Sequence, residues 1–349
     1  MATGGAQVQN ATSSIKCSVE LAKLESILND AVKADGKLID TSCQILGETL
    51  GYISIVTKAK LMHNCEVAAY KFVSSNGDPP FKMPRCYYSE EISESSEGMI
   101  ITEDLSEIAC SSADFLEYLS LRQVEVLLEV VASLQAFSIK NKGWGKCDGK
   151  EHLTMFQQML DLYDQSANYA METYGSRLHV NTAKISWLKD EFKKLIKEME
   201  NPIEFGHYPV LSYGDLQPNN ILWKKDSNGK ASDELASMID FQLFHQGMPS
   251  EDVFWILIFF LPAEIRKAND MRLLDFYYQH LAQKLAPDPV PFKLEDIIKQ
   301  HDQFKRYQAF FFLCWCQSLL EVFKFNNVEE RTLIRLNGLL DDIFPEDTY

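Results

Sequence analysis

Between Pro209 and Asp240 the chain alternates apolar runs with turn residues in a tight order that few folds can accommodate. Pro209–Tyr213 is a short strand, residues 214–219 form a loop, and Asn220–Trp223 is a second strand. Asn228-Gly229 is a hairpin turn signal, because both residues tolerate the left-handed backbone that a two-residue turn needs. Leu235–Ile239 is the return strand, and it ends at Asp240. Such a hairpin can carry Asp240 back to the end of the strand where Asn220 stands.

The loop reads Gly214-Asp-Leu-Gln-Pro-Asn-Asn220 and the return strand closes with Ile239-Asp-Phe-Gln242. Asp215, Asn220 and Asp240 thus converge by topology, and their types suit phosphoryl transfer from ATP assisted by magnesium. Asp215 is the candidate base that orients a hydroxyl and takes its proton, which typically contributes ~10²–10⁴ in rate. Asn220 offers an amide oxygen and Asp240 a carboxylate, the hard oxygen donors that Mg2+ prefers in small number. A lone Asp beside Gly and Pro is usually a turn residue. The strand–loop–strand–turn–strand order around all three favours the catalytic reading.

Helical periodicity dominates elsewhere. Val19, Leu21, Leu24, Ile27, Leu28 and Val32 suit a helix, and His63–Phe72 reads as another. Tyr52–Val56, Met83–Tyr88 and Gly98–Thr102 are strand-like, with a polar acidic turn over residues 89–97. After Leu105 three apolar stripes, from Leu121, Leu153 and Ile185 onwards, mark long helices whose stripes are core faces. The expected fold class is α+β. Residues 1–15 form a flexible tail, 16–105 a small β-rich N-terminal lobe, and 106–349 a larger helical lobe with the hairpin 209–240 embedded in it.

The net charge of −16 argues against nucleic acid as the partner, because phosphate backbones need clustered Lys and Arg. Its bland meaning is a soluble acidic surface; a cationic substrate is the sharper one. The longest apolar runs, Val253–Pro262 and Ala309–Cys316, fall short of the ~20 residues that span a bilayer. The first residues lack the basic start and apolar stretch of a signal peptide. Eight cysteines are scattered without a CxxC pair, which fits a reducing compartment. A cytoplasmic location without membrane contact is expected, and the oligomeric state stays open.

The motifs Gly-Asp-Leu-Gln-Pro-Asn-Asn-Ile-Leu and Ile-Asp-Phe-Gln resemble those of choline-kinase-like and aminoglycoside-phosphotransferase-like small-molecule kinases. They are most similar to the CHK-kinase-like group abundant in nematodes and insects. Glu97–Ser106, Leu134–Ser138 and Gly247–Asp252 resemble further family segments in the same order, over roughly residues 40–345. The resemblance implies a two-lobed protein-kinase-like fold with ATP and Mg2+ as cofactors and a small-molecule hydroxyl as acceptor. It implies that backbone groups near Glu103 and Leu105 meet the adenine. It places Gly47 and Gly51 in the phosphate-covering turn, and Glu66 on the first N-lobe helix, paired with a lysine. Asp252 becomes a buttress of the catalytic loop.

Two positions depart from the family. Tyr213 stands where a His usually precedes Gly-Asp. Gly51 and Glu66 are too close for two strands and a turn between them, and the lysines in range are Lys58 and Lys60. Either one of them, Lys58 before Lys60, clamps the phosphates from a shortened strand, or the lysine strand is missing and these are solvated residues on a connection. The alternatives to an active kinase are therefore a pseudokinase that binds or scaffolds, and a shortened product with an incomplete N-lobe.

Overall fold

The computed structural model describes residues 56–79, 81–112, 116–144, 150–322 and 327–345. The chain divides into Met1–Ile55 and Val56–Tyr349, and every described residue lies in the second unit. The expected tail, the helix near residues 18–33, the Gly47–Gly51 turn and most of the Tyr52–Val56 strand lie outside the described residues.

Helix α1 spans Val56–Ser75. It has no Gly or Pro and holds three Ala and three Lys, so nothing in its interior breaks the helix. The chain leaves it through Asn76, whose N–H donates to Val73 O at 3.1 Å, and Gly77, with φ of +99°. The expectation of a strand carrying Lys58 or Lys60 is corrected here: both lie within α1, on the same helix as Glu66. Six positions turn a helix by about 240° after the first full circle, so Lys60 points away from the face that carries Glu66. Lys58's side chain lies outside the described residues.

Strands β1 (Cys86–Ile92) and β2 (Glu97–Thr102) form an antiparallel hairpin, with Ile92 opposite Glu97. The acidic stretch expected as a turn is mostly strand, and the turn itself is confined to residues 93–96, where Ser93 N–H donates to Ser96 O at 2.9 Å. Polar composition hid the pairing because α1 satisfies this edge. Asn64 accepts from Ile92 N–H at 2.8 Å and donates to its carbonyl at 3.1 Å, and His63 meets Glu90 O at 2.8 Å.

A two-residue strand β3 (Ala109–Cys110) precedes helix α2 (Leu121–Lys140). A capping box starts that helix: Ser120 Oγ accepts from Gln123 N–H at 3.1 Å, and Gln123 Oε1 accepts from Ser120 N–H at 3.0 Å. Helices α3 (Lys150–Tyr174) and α4 (Thr182–Glu200) follow, as their apolar stripes require.

The embedded β region comes next. It holds β4 (Val210–Ser212), β5 (Ile221–Lys225), β6 (Ala231–Met238) and β7 (His245–Gly247). Strand order is β3-β5-β6 in one sheet and β4-β7 in the other, all antiparallel. Four helices complete the chain: α5 (Glu251–Phe260), α6 (Ala263–Leu285), α7 (Leu294–Val322) and α8 (Val328–Ile343). In α5 every residue but Trp255 is buried, as an all-round apolar helix demands. Phe254 stacks on Phe304 of α7 at 4.2 Å, and Phe310 stacks on both Phe192 and Tyr163. The result is an α+β fold in which helices build the core and short antiparallel strands carry the loop at 214–219. Among the described residues no helix is long and apolar enough to cross a membrane.

Candidate active site

Pairing between β5 and β6 sets the geometry. Ile221 lies opposite Met238, so the residues just outside the ladder, Asn220 and Ile239, meet: Ile239 N–H donates to Asn220 O at 3.0 Å. Asp240 therefore leaves the strand beside Asn220, and its backbone turns sharply, with φ of +64°. That left-handed conformation is uncommon outside Gly, though Asp tolerates it, and such strain is concentrated at functional sites.

Asp215 is gripped by three amides. Gln217 Nε2 donates to Oδ1 at 2.6 Å, while Asn220 Nδ2 and Gln242 Nε2 donate to Oδ2 at 3.1 and 3.3 Å. Asn220 also donates to the Asp215 main-chain carbonyl at 3.1 Å. With its N–H₂ group turned to Asp215, Asn220 keeps its amide oxygen for another partner. Burial, and then the nearby Asp240 charge, push the Asp215 carboxyl up to about 7 against the pull of these donors. Burial raises Asp240 as well, opposed by the Gln242 backbone N–H.

Glu66 reaches the same place from α1. Its Oε1 accepts from Phe241 N–H at 3.4 Å, and burial followed by the Asp240 charge raises it to about 7. Among the described residues no cationic side chain contributes to the electrostatics of Glu66, Asp215 or Asp240. Among the described residues Glu66 is met by the chain that follows Asp240, and Lys58, one candidate for its expected lysine, has its side chain outside them. Phe241 anchors this junction, with Tyr70, Tyr213 and Phe244 rings packed edge-on around it at 5.5, 5.5 and 5.9 Å.

The loop is held from below. Asp252 Oδ2 accepts from Tyr213 N–H at 2.7 Å and Oδ1 from Gly214 N–H at 3.1 Å. Tyr213 is fully buried, and its hydroxyl donates to Ile239 O, tying the loop to the end of β6. A Tyr here thus supports backbone, the task expected of the family's His. Gly214, at φ +80°, is required: a Cβ there would run into the Leu243 carbonyl and sit 2.9 Å from the His245 ring.

Sequence reasoning missed the pair behind this contact. His245 Nε2 meets Glu251 at 2.9 Å and Nδ1 meets Leu243 O at 2.6 Å, so both ring nitrogens face acceptors. Burial lowers His245, but Glu251 and the two hydrogen bonds outweigh it and raise the group overall. Its only signal in sequence was a His within an apolar run. Trp255 Nε1 donates to Leu216 O, and its ring lies 5.1 Å from Phe311, which stacks on Trp315. A partly exposed aromatic run therefore starts next to the loop.

The expected adenine-facing segment follows β2. Glu103 N–H donates to Arg85 O at 3.0 Å and its Oε1 accepts from Arg85 N–H at 2.8 Å. Leu105 O accepts from Ile108 and Ala109 N–H at 3.1 and 2.9 Å. Gly47 and Gly51 lie outside the described residues. Among the described residues no three His, Cys, Asp or Glu side chains form a ready-made metal cage.

Residues 24–346 match the profile of the family DUF1679, described as "Uncharacterized oxidoreductase dhs-27". The Caenorhabditis elegans protein of that description is 27% identical over 217 residues, covering 59% of this chain and 25% of that one. The uncharacterized kinase-like protein D1044.1 of the same organism is 27% identical over 256 residues, covering 72% of this chain and 65% of that one. The chain thus spans a quarter of the first relative and just under two thirds of the second. An aminoglycoside phosphotransferase in complex with GDP and kanamycin aligns at TM-score 0.46 and 14% identity, covering 93% of this chain and 99% of that one. Choline kinase LicA from Streptococcus pneumoniae aligns at TM-score 0.42 and 12% identity, covering 79% of this chain and 80% of that one.

Proposed function

The chain belongs to the DUF1679 family, a CHK-like kinase group, and on that premise we propose that it is an ATP- and magnesium-dependent phosphotransferase acting on a hydroxyl of a small molecule. The carrying observation is the convergence of Asp215, Asn220 and Asp240 at one end of the β5–β6 ladder. In this reading Asp215 receives the hydroxyl proton as the acceptor oxygen attacks the γ-phosphorus. A carboxyl raised toward 7 by burial is matched to that task at neutral pH.

The donor set fits magnesium. Asn220 offers an amide oxygen and Asp240 a carboxylate, and two protein ligands leave room for phosphate oxygens and water. Glu66, Asp215 and Asp240 also gather three carboxyl groups that burial raises, a setting that favours a cation. When bound, the metal would neutralise phosphate charge, and stabilising charge in this way usually lowers the barrier more than any other single effect. Asp252, Tyr213 and Gly214 keep the loop in register. Backbone groups near Glu103 and Leu105 would meet the adenine, with residues 16–105 as the N-terminal lobe and 106–349 as the helical C-terminal lobe.

The test is ATP consumption with a metabolite library, comparing wild type with Asp215→Ala and Asp240→Ala. Turnover that falls by ~10²-fold or more in both variants supports the reading; turnover retained in both sinks it.

One observation favours a second reading, a pseudokinase that binds or scaffolds: Glu66 faces Phe241 and Asp240 where a phosphate-clamping lysine pair is expected. A thermal-shift titration with Mg-ATP separates the two. Binding to the folded state alone stabilises by ~2.7 kcal/mol at 100 times Kd. No shift up to millimolar nucleotide would favour the scaffold.

A further inference from the structure

The turn at Asp240 is pinned on both flanks, by different means. Before it, Ile239 is held by the backbone hydrogen bond to Asn220 O and by the Tyr213 hydroxyl. Phe241 is locked among aromatic rings and Glu66. After it comes Gln242, which serves both carboxylates. Its main-chain N–H stabilises the Asp240 carboxylate, and its side-chain Nε2 donates to Asp215 Oδ2 at 3.3 Å.

The other two donors to Asp215 belong to its own loop. Gln217 and Asn220 fix the carboxylate relative to residues 215–220, and Gln217 is itself fixed by its N–H to Asp215 O at 2.8 Å. Asn220 also ties the loop to Ile239 through its main chain, before the turn, whereas the tie to the segment after the turn is made elsewhere. Among the described residues, Gln242 is the side chain from outside the loop that hydrogen-bonds to the Asp215 carboxylate. Two carboxylates of like charge repel, and a donor aimed at one of them offsets part of that repulsion.

We propose that Gln242 is a positioning residue: standing two residues after Asp240 and donating from its side chain to Asp215, it sets the alignment of base and metal carboxylate. This rests on the phosphotransferase reading above. Gln242 acts through Asp215 and takes no part in holding nucleotide. A misalignment of about 1 Å is enough to cost ~10²-fold in rate.

The experiment uses the full chain with Mg-ATP and water as acceptor. Gln242→Leu keeps the volume and removes the donor. Gln242→His restores a ring N–H close to the lost amide and guards against a variant that merely folds poorly. In Gln242→Leu, kcat for ATP hydrolysis should fall about ten- to a hundred-fold with KM for ATP within about twofold, and Gln242→His should recover most of it. Hydrolysis retained within about twofold in Gln242→Leu, or a KM that rises as far as kcat falls, overturns the proposal.

The contact is read separately, without turnover. The side-chain amide resonances of Gln242, identified by their loss in Gln242→Leu, should shift in Asp215→Asn. If they do not move, the tie is absent and the proposal falls whatever the enzyme does. A wild type that keeps the tie and yet transfers no phosphate from Mg-ATP defeats the phosphotransferase reading, and the positioning role falls with it.

Discussion

Asp215→Asn should make the metal-free protein relatively more stable as pH rises. Folding lifts this carboxyl from 3.8 to about 7, with burial the main cause and the Asp240 charge second. The unfolded chain gives up the proton near pH 4, and the folded chain holds it until about pH 7. The stability this group contributes is therefore full below about pH 4 and lost as pH climbs through 7. At ~1.4 kcal/mol per unit, the full shift corresponds to ~4 kcal/mol, of which ~2.6 kcal/mol falls between pH 5 and pH 8. The side chain is only partly buried, and solvent screening reduces this to ~1–2 kcal/mol. Asparagine has no charge to lose. Urea unfolding of both proteins in EDTA at pH 5 and pH 8 measures the effect. The variant should gain ~1–2 kcal/mol on wild type between the two pH values. A difference that does not change with pH, or that moves the other way, would refute the premise that folding raises the Asp215 carboxyl.

Three more predictions follow from the same contacts. Asp252→Ala strands two amides, those of Tyr213 and Gly214, and should cost ~2–5 kcal/mol in unfolding free energy; a variant as stable as wild type would mean those amides find other partners. Gly214→Ala combines a left-handed backbone with a Cβ driven into the Leu243 carbonyl, and should cost ~3 kcal/mol or more by chemical denaturation; a loss under ~1 kcal/mol would show that the loop yields to a side chain. Magnesium should raise the unfolding temperature more at pH 8 than at pH 6, because at pH 6 protons on Glu66 and Asp215, both raised to about 7, compete with the metal; equal shifts at both pH values would contradict this.

Sequence periodicity located the long helices well, because a core-facing stripe is a local property of consecutive residues. Leu121, Val124, Leu127 and Leu128 announce α2, and the structure extends it to Lys140. It served less well in the first described segment. Val56 reads as the end of a strand, yet it begins α1, because nothing C-terminal to it stops a helix before Ser75. The acidic residues 89–92 read as a turn, yet they are strand, because Asn64 and His63 from α1 satisfy their backbone.

By itself, the chain determined the hairpin from Asn220 to Asp240, and with it the meeting of Asp215, Asn220 and Asp240. A turn signal between two apolar runs suffices for that, although the turn is wider than the two residues Asn228-Gly229 suggest: the ladder closes at Lys225 and Ala231, and Asp226 accepts from the Asn228 and Lys230 amides. Only the tertiary structure decided what surrounds these three. Glu66 comes from a helix far earlier in the chain, Gln242 reaches across to Asp215, and Asp252 and the His245–Glu251 pair brace the loop from behind. These contacts are set by the packing of elements distant in sequence, where no local period records the partner. The same packing turned Glu66 toward Phe241 and set its carboxylate beside the Asp240 charge, a pairing that no window of the sequence announces.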